Sequence, residues 1–131
     1  MILKIDFNSG KPIYIQLKEQ IIEGIALGLL KEGESLPSVR QMAEDIGINL
    51  HTVNKAYSIL QEEGFLVIHK RQCVIVNGLS QKHNKTYLND LNQKIRPVIA
   101  EAFCKGITEN DFIEKCEEIF LLFKKGKAHE F

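Results

Sequence analysis

Apolar residues recur along this chain at the spacing of helices, then briefly at that of strands, then at helical spacing again. Pro12 opens the first pattern, in which Ile13, Leu17, Ile21, Ile25 and Leu29 fall every fourth residue with Ile22 and Ala26 beside them. That is one buried helical face behind a proline suited to a helix start. Gly28 and Gly33 punctuate its end and the linker Leu29–Leu36. Pro37 pushes Leu36 out of helical conformation, and Ser38-Val39-Arg40-Gln41 has the S-x-x-Q form of a capping box. A second, short helix begins there, with Val39, Met42, Ala43 and Ile46 on its apolar side and Gly47 as its left-handed stop. Asn49 then caps a third helix, Ile48 and Val53 occupy hydrophobic-staple positions, and Val53, Ala56, Tyr57 and Leu60 form the core side up to Gly64.

Two helices joined by so short a turn containing glycine form a helix-turn-helix. Phe65–Ile68 and Cys73–Val76 are β-prone runs separated by His69-Lys70-Arg71-Gln72, a polar interval of hairpin length, which predicts a two-stranded wing. Asn77-Gly78 closes it, and residues 79–86 read as a polar linker. Beyond the linker, Leu88, Leu91, Ile95, Val98 and Ala102 alternate by three and four, the seam spacing of packed helices. Pro97 is expected to bend or break this helix, because it removes a backbone donor, and Gly106 stops it. Thr108 caps a last helix with the stripe Phe112, Cys116, Ile119 and Phe123, widened by Ile113 and Phe120, and Gly126 is its expected end. The expected fold is mainly α with a small β-hairpin. It comprises an N-terminal winged helix-turn-helix over residues 1–78 and a C-terminal two-helix dimerisation tail over residues 79–131.

Composition narrows the class. The 131 residues suit one compact domain, or a small one with an appendage, and a 44% hydrophobic content supplies a core. No apolar run reaches the ~18 residues that span a bilayer, and the N-terminus lacks the pattern of a signal peptide, so a soluble cytoplasmic protein without membrane contact is expected. Cys73, Cys104 and Cys116 lack the close pairing of metal ribbons or disulfide frameworks and read as buried or incidental thiols. His51, His69, His83 and His129 are scattered, and no zinc-protease, phosphate-loop or nucleophile-elbow motif accompanies them. An enzyme is therefore the weakest reading, and no metal or cofactor is expected.

Charge at first opposes a nucleic-acid partner, since 17 basic residues balance 17 acidic ones. Division does not help, because residues 1–78 hold eight Lys/Arg against nine Asp/Glu. Local distribution does. Gly47 through Gln61 contains no acid, nor does Phe65 through Ser80, whereas Glu19, Glu23, Glu32, Glu34, Glu44, Asp45, Glu62 and Glu63 lie elsewhere in the head. Arg40, Lys55, Lys70 and Arg71 can thus form a basic surface on a neutral chain. With the core side of the third helix turned inward, Leu50, His51, Asn54, Lys55 and Ser58 face outward, where the early part of a recognition helix meets base edges. Asn54 suits adenine, and His51, Thr52 and Lys55 suit phosphate.

The run Pro12-Ile13-Tyr14-Ile15-Gln16, Gly28, Gly33, Leu36-Pro37-Ser38-Val39-Arg40-Gln41-Met42-Ala43, Thr52-Val53-Asn54-Lys55-Ala56-Tyr57 and Leu60 through Gly64 resembles the GntR family of bacterial regulators. The resemblance covers roughly residues 10–78. It implies DNA contact from Ser38 and Arg40 at the start of the second helix, and phosphate contact from Thr52. Leu50 and Asn54 stand where many members carry arginine, and Arg71 and Cys73 where wings carry glycine. Ile48-Asn49-Leu50-His51-Thr52-Val53 is similar to the YtrA-like subfamily, whose short tail implies dimerisation through Leu88, Leu91, Ile95, Val98, Phe112, Cys116, Ile119 and Phe123.

The leading expectation is a homodimer on a double-stranded, pseudo-palindromic operator, acting as a repressor. The resemblance further implies control of a neighbouring ABC-transporter operon. A protein-interaction module that uses the winged scaffold without DNA is the alternative. No polar cluster in the tail marks a small-molecule effector site.

Overall fold

The computed structural model describes residues 3–70, 73–78 and 85–128. Its elements are α1 (Ile13–Ala26), β1 (Ser35–Leu36), α2 (Val39–Ile46), α3 (Leu50–Glu62), β2 (Leu66–His69), β3 (Cys73–Val76), α4 (Lys85–Cys104) and α5 (Glu109–Ala128). Among the described residues the buried apolar core lies wholly between Leu17 and Val76. It joins Leu17, Ile21 and Ile25 of α1, Met42 and Ala43 of α2, all four predicted core residues of α3, and Leu66, Val74 and Val76 of the sheet.

The head departs from the expected pattern in two places. The α1 stripe does not reach Leu29, because the helix ends at Ala26 and Gly28 turns left-handed at φ 78°. Leu29 is consequently 59% exposed, and Leu30 enters the core in its place at 4%. The supposed linker also contributes a strand. β1 pairs antiparallel with β3, giving a three-stranded sheet in the order β1-β3-β2 rather than a bare hairpin. Two further backbone bonds extend that edge, from Gly33 N to the Val76 carbonyl and from Val76 N to the Glu34 carbonyl, each at 2.9 Å. A two-residue strand carries too little periodicity to be read from side chains.

The segment before α1 is held by two glutamines. Gln16, buried on α1, accepts from Asp6 N at 2.9 Å and donates to the carbonyls of Asp6 at 3.0 Å and Lys11 at 2.9 Å. One turn on, Gln20 accepts from Lys4 N at 2.9 Å and donates to the Lys4 carbonyl. Four residues of helix rise about 6 Å, close to the advance of two extended residues, so the two amides match alternate backbone units as a neighbouring strand would.

The tail differs in the two places where single residues were expected to interrupt helices. α4 runs through Pro97, which forfeits one bond on an exposed helix without stopping it. α5 runs past Gly126 to Ala128, so that glycine is no terminator. Thr108 does cap α5, its hydroxyl accepting from Asp111 N at 3.1 Å. α4 buries none of its residues, and Leu88, Ile95, Val98 and Ile119 lie exposed while Leu91, Phe112, Cys116 and Phe123 are half-buried. Of the cysteines, Cys73 and Cys104 are exposed rather than buried and Cys116 is half-buried, all as free thiols.

Gln16→Ala removes three hydrogen bonds from a buried amide. Its expected cost is about 1–3 kcal/mol of unfolding free energy in urea titration, with faster hydrogen exchange at the Asp6 amide.

Candidate nucleic-acid interface

Local chemistry sets the start of each helix in the helix-turn-helix. Ser38 is the N-cap of α2, its hydroxyl accepting from Gln41 N at 3.1 Å. Only half of the capping box forms, because the Gln41 side chain donates to Asp45 Oδ1 at 2.7 Å, one turn along the same helix. Gly47 ends α2 at φ 76° and ψ 40°, the left-handed stop that a side chain would strain. Asn49 caps α3 by accepting from His51 N at 2.8 Å.

Tyr57 locks the two helices together. Its ring is fully buried in the core, and its hydroxyl donates to the Pro37 carbonyl at 2.9 Å, tying the middle of α3 to the turn that launches α2. Burial, reinforced by the nearby Asp45 carboxylate, pushes the phenol above its ordinary pKa, so it stays protonated as a donor.

With that core side fixed, the outward residues of α3 are those the periodicity placed there. His51, Asn54, Lys55 and Ser58 are exposed, Leu50 is 41% exposed at the first helical position, and Thr52 is half-buried. Arg40 is exposed on the first turn of α2, with no ion-pair partner among the described residues, whereas Ser38 is half-buried and engaged as a cap. Lys70 is exposed at the hairpin tip with φ 53°, next to the His69–Cys73 pair that fixes the β2–β3 register. Arg71 lies outside the described residues.

One partner escaped the sequence reading. The Lys55 ammonium stands over the Tyr14 ring, 4.0 Å from its centroid, a cation–π contact joining the start of α1 to the outward face of α3. Tyr14 carried no chemical signal beyond its place in the Pro12–Gln16 run. At the other end of α3, Lys18 pairs with Glu63 at 3.6 Å, so an acid of the head is neutralised away from Arg40 and Lys55. The result is a face with basic and amide donors and no carboxylate on α3 before Glu62.

Comparison with known proteins gives a consistent picture. The profile of the family described as "Bacterial regulatory proteins, gntR family" matches residues 13–76. The HTH-type transcriptional repressor YtrA of Bacillus subtilis (strain 168) is 30% identical over 129 residues, spanning 98% of this chain and 99% of that protein. A crystal structure described as a transcriptional antiterminator from Listeria monocytogenes EGD-e superposes on 91% of this chain and 90% of its own at a TM-score of 0.82 and 27% identity. The DNA-binding domain of AraR, solved in complex with operator ORX1, matches 58% of this chain and 98% of its own at a TM-score of 0.52 and 25% identity.

Tyr57→Phe keeps the ring and deletes the bond to Pro37, with an expected loss of about 0.5–1.5 kcal/mol in thermal or urea unfolding. Because folding raises the phenol's pKa, the stability linked to its protonation is complete below the free-tyrosine value near ~10 and is lost as pH rises above it. Alkaline destabilisation should accordingly be shallower in the Phe variant than in wild type.

Proposed function

We propose that this chain, which belongs to the GntR family of bacterial regulatory proteins, is a homodimeric transcriptional repressor that docks α3 of each protomer in a major groove of a pseudo-palindromic operator. The observation that carries this reading is the acid-free outward face of α3, together with an exposed Arg40 that has no ion-pair partner among the described residues. On that face Asn54 is placed for a base edge, and Arg40, Thr52, His51 and Lys55 for the backbone, with Ser38 and Leu50 at the flanks. Lys70 and Arg71 follow as wing contacts to neighbouring phosphates. The operator-bound AraR domain supports the docking mode. Its relatives are transcription regulators rather than enzymes, and no helix among the described residues is long and apolar enough to cross a membrane.

Dimerisation is assigned to the tail because its helices leave large apolar side chains without partners in one chain. Phe103 is 79% exposed and Val98 55%, in a helix that buries nothing of its own. Large apolar side chains left exposed in this number point to an association site. Two-fold pairing of α4 and α5 covers it and places two heads on one duplex. The name of the Bacillus subtilis relative supports repression, and the family resemblance extends the proposal to a nearby ABC-transporter operon as target.

Mobility shift on the chain's own promoter region tests the docking. Arg40→Ala and Lys55→Ala should each weaken binding by roughly ten-fold and flatten the salt dependence by about one counterion per lost phosphate contact. Wild-type affinity in both variants, or binding indifferent to salt, would sink the model and favour a protein partner. For the tail, Ile95→Asp with Val98→Asp should halve the mass seen by light scattering while leaving the head's thermal transition in place, since neither residue belongs to the head core.

A further inference from the structure

We infer that Gly126 is the joint that sets the angle between head and tail, and with it the half-site spacing that a dimer can engage. The inference rests on the dimeric, operator-binding reading above and adds to it a residue that determines spacing.

Glycine inside a helix is unfavourable by roughly 0.5–1 kcal/mol relative to alanine, so its presence there calls for a reason. Gly126 has ordinary helical backbone rather than the positive φ of Gly28, Gly33, Gly47, Gly64 and Gly106, so conformation does not require it. Space does. A Cβ at this position would run into the carbonyl oxygen of Leu27, with the carbonyl carbon at 2.7 Å and Cα at 3.0 Å. Those are backbone atoms, which cannot swing aside as a side chain can.

Leu27 is the C-cap of α1, and α1 is the head helix on which α5 packs. α1 is in turn packed along α3, so a change at Leu27 is passed to the recognition helix through a fully buried layer that includes Leu17, Ile21 and Val53. The docking edge of α5 is narrow. Phe123, one turn before Gly126, is half-buried, while Phe120, Leu121 and Leu122 between them and the helix centre remain largely exposed. The Listeria monocytogenes crystal structure superposes on 91% of this chain, a share that takes in helices of both head and tail.

The lever is long. From Glu109 to Gly126, α5 extends roughly 25 Å, so a tilt of about 10° at the joint moves its far end by about 4 Å. One base-pair step is about 3.4 Å. A side chain at the joint that forces a tilt of that size would shift each head by about a base pair relative to the dimer axis.

The test uses the full-length chain, with Gly126→Leu as the disruptive variant and Gly126→Ala as the milder one. Binding is measured on the footprinted promoter site and on a series with one to three base pairs inserted or deleted between its halves. The expected result is a dimer by light scattering, with wild-type affinity for an isolated half-site, at least a ten-fold loss at natural spacing and partial recovery at another. A dimeric Gly126→Leu variant with the wild-type spacing profile would overturn the inference. So would the absence, in DNA-free wild type, of a nuclear Overhauser effect between the Hα protons of Leu27 and Gly126. A wild-type chain that is monomeric or ignores DNA refutes the operator reading instead, and the Leu27–Gly126 proton contact still decides the docking.

Discussion

A phenol taken out of water must find an acceptor, and in this head the acceptor is a backbone carbonyl at a helix boundary. Tyr57 reaches Pro37 across the core, and that one bond couples the middle of α3 to the turn before α2. Pro37 has already excluded helix at Leu36, so the turn is stiff on one side and bonded on the other. The outward rotation of His51, Asn54 and Lys55 follows from the burial of Tyr57 with Val53, Ala56 and Leu60 on the opposite side of α3, while the local Ser38 cap starts α2. Without that bond, α2 and α3 would still pack through their apolar faces, but their mutual setting would be held less firmly.

The parts of this structure that are periodic or capped were legible in the chain. The α3 core side was readable because Val53, Ala56, Tyr57 and Leu60 satisfy a helical period and Asn49 supplies a cap, two independent signals that agree. The outward face followed by exclusion. What could not be read depends on pairing between distant segments. β1 exists only because β3 offers it partners, and the roles of Gln16 and Gln20 appear only when the backbone of Asp6 and Lys4 is laid beside α1. Tyr14 belongs to the same class, since its ring matters through Lys55, 41 positions later in the chain. Gly126 was misread for a different reason. A glycine near the end of a helical pattern is most simply a stop, and only the neighbouring Leu27 carbonyl reveals that it permits close approach.

Neutral overall charge conceals a strong internal separation. Acids occupy the segment before α1, α1 itself, the segment leading to β1, the second half of α2 and the end of α3, and none falls in the stretch from Gly47 to Gln61. A field of one sign over a small area needs no net charge on the molecule. It is, however, short in range, because opposing charges cancel it within about a Debye length of ~8–10 Å. Such a surface favours contact at close quarters over long-range capture.

The confinement of the core to residues 17–76 has a consequence for how the protein is made. Synthesis delivers the N-terminal segment first, and every side chain that the head buries has left the ribosome before the apolar helices of the tail emerge. The recognition surface can therefore be finished on a nascent chain while the adhesive part is still being translated. Folding of the head ahead of the tail limits the window in which the apolar tails of two growing chains could tangle.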